Sequence, residues 1–183
     1  MNRDFICEAL LKDGRLLMLR RSRASDAQQI LGYLNMIGGE SENLMFGKDG
    51  YRHLTLAQEA EYLDKLSSAP NTLSLTGFVG GEIVSLSQIR GETPQRAAHN
   101  FELSITVAKA YWRLGVGSVA MAEMIRFAKE HGARVIHLGV RAGNEAAIRL
   151  YEKFGFEKAG VHRDFFNING VYHDEILMDL YLG

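Results

Sequence analysis

The sequence contains few of the residues that cross-link a small protein or form the linkers between domains. Its 183 residues include one cysteine, Cys7, and two prolines. One cysteine cannot close an internal disulfide, and a metal site built from several cysteine ligands is excluded with it. No proline-rich or serine-rich linker interrupts the chain, so we expect one domain over residues 1–183. That length lies within the usual domain range of about 100–200 residues.

An excess of charge and a long apolar run are also missing. The 21 basic and 22 acidic residues leave a formal net charge of −1, and the isoelectric point is near 6.6. Domains that bind nucleic acid through their overall charge have isoelectric points above about 9, so no nucleic-acid partner is expected. No stretch approaches the roughly 18 apolar residues of a membrane span. We therefore expect no membrane association and a cytoplasmic location.

The sequence does contain alternating strand patterns separated by short turns. The turn dipeptides are Asp13-Gly14, Gly80-Gly81 and Asn169-Gly170. Each is typical of a hairpin. Helical spacing of apolar residues is found over 115–131 and again after Asn144. Ser25-Asp26 is predicted to cap another helix. The mixed order of these elements predicts an α/β or α+β sheet with helices packed against it.

The stretch from Val107 to Ser118 connects a predicted strand to the longest predicted helix, and Gly115 and Gly117 stand at the junction. The first amides of a helix have no intrahelical acceptor and lie at the positive end of its dipole, so this junction suits a phosphate group. Arg113 adds a positive charge. A glycine-rich helix start that binds nothing is the simplest alternative.

A second alternative is a dinucleotide site, because Gly115-x-Gly117-x-x-Ala120 matches the literal fingerprint. That fingerprint places its first glycine directly after the strand, whereas 108–114 intervene here. It also expects an acidic residue at the end of the next strand, and Val140-Arg141 does not supply one.

The third interpretation is a resemblance. Gly-x-Gly-Ser after a strand resembles the acetyl-coenzyme A motif of the GNAT N-acetyltransferases, usually written Gln/Arg-x-x-Gly-x-Gly/Ala, with Trp112 here at the first position. Residues 138–156, which read LGVRAGNEAAIRLYEKFGF, resemble the second signature of that family at the expected distance. The chain is thereby identified as a member of the bacterial single-domain type. The resemblance implies a mixed, mostly antiparallel sheet of six to seven strands with helices on both faces.

The resemblance also implies acetyl-CoA as the acetyl-donor co-substrate, and it implies no metal. The implied cofactor-binding residues are Ile105, Thr106, Val107, Trp112, Arg113, Leu114, Gly115, Val116, Gly117, Ser118, Asn144 and Tyr151. In this family the strand main chain pairs with the pantetheine arm, and the loop amides hold the pyrophosphate. A helix-capping role for Asn144 is compatible with a contact to the cofactor arm. Tyr151 would lie near the thioester sulfur, although its spacing alone is that of a core aromatic residue.

Acetyl transfer to an amine requires a neutral nitrogen, and an alkylamine titrates near ~10, so a base must remove its proton. The candidate base is Glu102, on the polar face of the strand that carries Val107; a solvent-facing carboxylate is the alternative. Tyr151 is the candidate proton donor to the leaving thiolate. We expect direct attack in a ternary complex, because no covalent acetyl-enzyme is needed.

Glu40, Glu42 and His99 are the candidate acceptor-binding residues, although each also fits an ordinary surface loop. Carboxylates at 40 and 42 would favour a cationic acceptor. The expected partner is an amine acceptor, either a small cationic molecule or a protein N-terminal amine, with a homodimer as a further possibility. The competing hypothesis is an acyl-CoA-binding sensor without turnover. Trp112 keeps that hypothesis open, while Asn144 and Tyr151 favour an enzyme.

Overall fold

The computed structural model describes residues 5–48 and 50–183, which form one eight-stranded sheet. The strands are β1 (Phe5–Leu10), β2 (Leu16–Arg21), β3 (Thr72–Val79), β4 (Glu82–Gly91), β5 (Asn100–Val107), β6 (Val135–Arg141), β7 (Glu157–Ile168) and β8 (Val171–Tyr181). Their spatial order is β1-β2-β3-β4-β5-β6-β8-β7. Neighbouring strands are antiparallel except for β5 and β6, which are parallel. The predicted fold class is confirmed, with eight strands where six to seven were expected.

Four helices cover the two faces of the sheet, and each face has its own apolar core. The helices are α1 (Ala27–Ile37), α2 (Leu56–Ser68), α3 (Val116–Glu130) and α4 (Glu145–Lys153). On one face Ile30 and Tyr33 of α1 pack with Leu63 of α2. On the other face Ala120 and Met124 of α3 share a larger core with the sheet and α4. In the described part of the chain, no helix is both long enough and apolar enough to cross a membrane.

The predicted hairpins form where the sequence places residues that tolerate left-handed backbone. Asn169 and Gly170 have φ angles of 52° and 85°, and Gly80 and Gly81 have φ angles of 61° and 89°. Two consecutive positive φ angles match the right-handed twist of the strands they join. The long antiparallel pairings of β3 with β4 and of β7 with β8 follow from these turns.

The start of α1 differs from the prediction. Asp26 precedes the helix, but its side chain makes no capping bond. Both carboxylate oxygens instead accept hydrogen bonds from Arg20 of β2, at 2.7 and 2.8 Å, and Oδ2 also accepts from the Arg23 amide at 2.9 Å. Burial alone would raise the pKa of Asp26, but these bonds and the charge of Arg20 hold it below its usual value. A buried ion pair has thus replaced the helix cap.

Arg20→Met should destabilise the protein by about 3 kcal/mol, because it leaves a buried carboxylate without its counter-charge. The deficit relative to wild type should shrink as the pH is lowered, because the unpaired carboxylate of the variant takes up a proton more readily and the wild type loses its ion pair below the unfolded-state pKa of about 4. Urea unfolding measured between pH 3 and 7 checks both statements. Arg126→Met is the control, since it breaks solvent-exposed pairs with Glu123 and Glu130 and should cost much less. Equal losses in the two variants would contradict the assignment.

Candidate active site

The sheet opens between its two parallel strands. β5 and β6 pair only at Asn100–Val135, Phe101–Ile136 and Glu102–His137. Beyond that point β5 stays paired with β4 as far as Val107, and β6 stays paired with β8 as far as Arg141. The two strands therefore diverge in the middle of the sheet and leave a cleft with a free strand edge on its β5 side.

The orientation of one peptide shows which backbone groups face this cleft. The Ala108 amide donates to the Val84 carbonyl of β4 at 2.9 Å, so the Val107 carbonyl in the same peptide points the other way, into the cleft. Because backbone groups alternate along a strand, the amide and carbonyl of Ile105 also face the cleft. The Val107 carbonyl already accepts a hydrogen bond from the Trp112 indole, Nε1 to O at 2.7 Å. Ile105 and the Val107 amide remain for an extended ligand.

The connection from β5 to α3 presents a row of amides. Its backbone is left-handed at Arg113 and Gly115, with φ angles of 63° and 110°, and the Leu114 carbonyl accepts from the Lys12 amide at 3.1 Å. The helical bonding of α3 begins with the Val119 amide donating to Gly115. Within the described residues, the amides from Arg113 to Ser118 donate to no backbone acceptor. A row of amides without backbone acceptors is suited to an anion, which is the role predicted for this loop.

The two glycines of this loop do different things. A Cβ at Gly115 would meet nothing within 4 Å, whereas a Cβ at Gly117 would lie 2.9 Å from Cδ2 of Leu150 and 3.9 Å from Cδ1 of Ile105. Gly117 therefore lets α4 and β5 close onto the first turn of α3. The sequence interpretation treated both glycines as ligand-facing, but the side-chain position at Gly117 points into protein.

Helix α4 places the predicted Asn144 and Tyr151 beside the same turn. Asn144 Oδ1 accepts from the Ala147 amide at 3.3 Å, which confirms the predicted cap and leaves its amide nitrogen available. Tyr151 is only 6% exposed and packs on Phe156 with ring centres 5.9 Å apart. Burial raises the pKa of Tyr151 to about 12. The residue is buried as a whole, and its hydroxyl forms no hydrogen bond with the described residues.

On the α1 face of the sheet, the segment that follows α1 is fixed at two points. The Glu40 carboxylate accepts a hydrogen bond from the Lys109 amide at 2.7 Å. Asn43 Oδ1 accepts from the Arg141 guanidinium at 3.0 and 3.2 Å. The segment therefore crosses the cleft from Lys109, just after β5, to Arg141 at the end of β6. Glu42 is exposed between these two attachments. Glu40 and Glu42, the two carboxylates predicted to bind the acceptor, both belong to this segment.

Sequence reasoning missed Tyr33, which spacing alone presents as a core residue of α1. Its hydroxyl lies 3.2 Å from Thr106 Oγ1 and 3.4 Å from the Val84 carbonyl. Burial, and to a smaller extent the charge of Glu40, raises the pKa of Tyr33 well above its usual value. Tyr33 thus holds the end of β5 through the Thr106 side chain, on the face of the sheet that α1 covers.

Glu102 and His99 occupy less central positions than the other candidates. Glu102 is bound to Arg90 at 2.5 Å and is largely exposed, about 17 Å before Val107 along the strand. His99 precedes β5, where its carbonyl accepts from the Arg134 amide at 2.8 Å. It therefore lies at the end of β5 opposite the phosphate loop. The structure does not bring His99 to the opening of the cleft.

A loop of unpaired amides beside a diverging strand edge is suited to an extended, phosphate-bearing ligand. The model of the Acetyltransferase (GNAT) family matches residues 42–156. The L-amino acid N-acetyltransferase AaaT of Escherichia coli strain K12 is 31% identical over 117 residues, which cover 63% of this chain and 72% of that protein. The ribosomal protein bS18-alanine N-acetyltransferase of the same strain is 35% identical over 77 residues, 42% of this chain and 52% of that one.

Among solved structures, an acetyltransferase of the GNAT family from Streptococcus pneumoniae superposes with a TM-score of 0.86 at 30% identity. The match covers 91% of this chain and 99% of that one. The chain therefore belongs to the GNAT acetyltransferase family. The predicted class, an acyltransferase that uses acetyl-CoA as its donor, is confirmed. Among residues 5–48 and 50–183, no group of three or more His, Cys, Asp or Glu side chains is placed to hold a metal ion.

Proposed function

We propose that this protein transfers the acetyl group of acetyl-CoA to a primary amine by direct attack in a ternary complex. The observation that carries the proposal is the meeting of three features at Gly117. These are the free edge of β5, the unpaired amides at the start of α3, and helix α4, which carries Tyr151. The residues fit acetyl-CoA because it combines a pyrophosphate with an amide-containing arm, and the site offers groups that complement both.

The loop and the strand would hold the donor from its phosphates to its arm. The amides from Arg113 to Ser118 would donate to the pyrophosphate, and Arg113 and Lys109 would add positive charge. Ile105 and the Val107 amide would pair with the arm as a neighbouring strand does. The Asn144 side-chain nitrogen would donate to the same arm. Trp112 occupies the position that is usually Gln or Arg in the family motif. Its indole donates to the Val107 carbonyl at the end of β5 and leaves the loop amides free.

Tyr151 would donate a hydrogen bond to the sulfur as the carbon–sulfur bond breaks. With a pKa of about 12, it keeps its proton throughout the neutral range and is always ready to donate. The carbonyl oxygen of the acetyl group gains negative charge during attack, and an amide on the cleft edge of β5 would stabilise it. The role of Glu102 as the base stays a prediction.

The acceptor would enter from the α1 face, between the Glu40–Asn43 wall and the sheet. Glu40 and Glu42 would attract a cationic amine, whose charge is felt over about 8 Å at physiological salt. The relatives named above act on amino acids and on the alanine of a ribosomal protein. Both acceptor types, small amine and protein N-terminal amine, fit a proposal based on a primary amine.

Arg113→Glu should weaken acetyl-CoA binding at least tenfold at low salt, with a smaller effect at high salt, because the new carboxylate opposes the phosphates. Calorimetry at two ionic strengths measures this. Arg134→Glu, at the opposite end of β5, is the charge-matched control and should bind like wild type. An unchanged affinity in a folded Arg113→Glu protein would remove this loop from the donor site.

Tyr151→Phe should lower kcat by about 10²–10⁴, the usual scale of acid–base assistance. Acetyl-CoA affinity should stay nearly unchanged. Because the phenol remains protonated well above neutrality, wild-type kcat should show no loss from Tyr151 up to about pH 10. Thiol release measured from pH 7 to 10 checks both statements. A wild-type rate in the variant would show that Tyr151 only packs the core.

A panel of cationic, neutral and anionic primary amines, including short peptides with free N-termini, tests the acceptor class. Free thiol should appear fastest with cationic amines. Glu42→Gln should raise the acceptor KM without changing that of acetyl-CoA. Glu40→Gln should act similarly, since its amide oxygen can still accept from Lys109. If acetyl-CoA binds tightly but no amine releases thiol, the sensor hypothesis holds and the proposed function fails.

A further inference from the structure

A buried carboxylate with a histidine partner lies beside the cleft and has no part in the mechanism above. Glu175 of β8 is 9% exposed. Its Oε2 lies 2.9 Å from Nδ1 of His162 on β7. Among the described residues, His162 is the one polar side chain bonded to it. A buried carboxylate requires such a partner, so the pair is a fixed unit of the structure.

Gly139 shows where the carboxylate sits. A Cβ at Gly139 would overlap Oε1 of Glu175 and lie 2.6 Å from its Cδ. The carboxylate therefore rests on β6 itself, in the space that a side chain at position 139 would fill. Gly139 is two residues beyond His137, the last residue of β6 that pairs with β5. The carboxylate thus stands where the cleft begins to open.

Strand alternation fixes the face. Residues 137 and 139 of β6 point to the same side as Glu102, because Glu102 and His137 are register partners and side chains alternate along each strand. Glu175 and His162 therefore lie on the acceptor side of the sheet, opposite the side on which α3 and α4 pack. His162 is 54% exposed and stacks on Phe165 with ring centres 5.5 Å apart.

This geometry is that of an oriented imidazole. A carboxylate that accepts from Nδ1–H fixes the ring and leaves the lone pair of Nε2 as the proton acceptor. Glu102, the base predicted from the sequence, differs in that its carboxylate is already bound to Arg90. To accept a proton, Glu102 would have to give up that ion pair, whereas the His162 side chain is about half exposed and its Nε2 is bonded to no other described residue.

We propose that His162 is the general base for the acceptor and that Glu175 is its positioning residue, a role that rests on the proposed amine acetyltransferase function. Nε2 takes one proton from the bound ammonium, and the neutral nitrogen then attacks the acetyl carbonyl. The carbon–nitrogen bond forms, the carbon–sulfur bond breaks, and a second proton lost by the nitrogen balances the one that the sulfur gains as it leaves as the thiol. The imidazolium then returns its proton to water, so one proton is released for each acetyl group transferred.

Other charged groups lie on the same face of the sheet as the pair. They are Arg141 and His137 on β6, His173 and Asp179 on β8, Glu157 on β7, and Glu102 with Arg90 across the cleft. His173 is a second histidine on the strand that carries Glu175, so it supplies the control.

The test measures kcat against pH with saturating acetyl-CoA and the best amine of the panel. An imidazole base gives a rise between about pH 5 and 8, whereas a carboxylate base gives a rise near pH 4. His162→Gln should lower kcat by about 10²–10⁴ and abolish the rise in that range. Glu175→Gln should lower kcat less than His162→Gln, because the imidazole remains but loses the carboxylate that orients it.

Because the two side chains act as a unit, the double variant should be no slower than His162→Gln alone. Gly139→Ala should mimic Glu175→Gln, since its methyl group displaces the carboxylate. All variants should bind acetyl-CoA like wild type by calorimetry, which also shows that they fold. His173→Gln, two residues from Glu175 on the same strand, is the matched control and should keep the wild-type kcat and pH profile.

The proposal is overturned if His162→Gln retains the wild-type kcat and pH profile. It is also overturned if Glu102→Gln alone removes the rise. Both results leave the acetyltransferase function standing, because the wild-type protein still turns over. A wild-type protein that binds acetyl-CoA but releases no thiol with any amine overturns the proposed function and this role together.

Discussion

The divergence of β5 from β6 is the constraint on which the rest of the site depends. Buried backbone amides and carbonyls need hydrogen-bond partners, and a strand in the middle of a sheet normally finds them on both sides. Beyond Glu102, β5 has partners only in β4. One of its free groups, the Val107 carbonyl, is satisfied by the Trp112 indole. The others lie in a cleft that only solvent or a strand-like ligand can fill.

Close packing at Gly117 converts this cleft into a site. The first turn of α3 approaches α4 and β5 so closely that a single methyl group at position 117 would press on Leu150. The unpaired amides, the free strand edge and the Tyr151 helix therefore lie within one region. The departure at Trp112 is explained by the same packing, because the indole binds the end of β5 to the loop and takes none of the amides that face an anion.

The acceptor face is built from carboxylates with different partners. Glu40 binds the Lys109 amide, Glu102 binds Arg90, and Glu175 binds His162 above Gly139. Glu42 is exposed, and its carboxylate forms no such bond with the described residues. A carboxylate that accepts from a backbone amide, as Glu40 does, fixes the segment after α1. One in an exposed ion pair, such as Glu102, is largely neutralised by its partner. One that orients an imidazole, such as Glu175, would prepare that imidazole to act as a base. The residue type alone does not distinguish these roles.

Much of the fold was predictable because its signals are local. The Asn169-Gly170 turn has the backbone that its residues favour, and Asn144 caps the helix that it precedes. The amide cradle before α3 was also predictable, since the end of any helix leaves amides unpaired. Asp26 is the local signal that failed. Its carboxylate found a stronger partner in Arg20, because a buried charge gains more from a guanidinium than from a helix amide.

The tertiary structure alone decided which side chains lie on each side of the cleft. Asn43 meets Arg141 across 98 positions of sequence, and Glu40 meets Lys109 across 69. No spacing rule connects residues so far apart, and no local pattern in the sequence marks Tyr33, His162 or Glu175. The sequence by itself determined the turns, the helices and the loop of unpaired amides before α3, because these depend on neighbouring residues. Which side chains face the acceptor was decided by the register of the sheet, since a side chain's face and partners exist only once strands distant in sequence have paired.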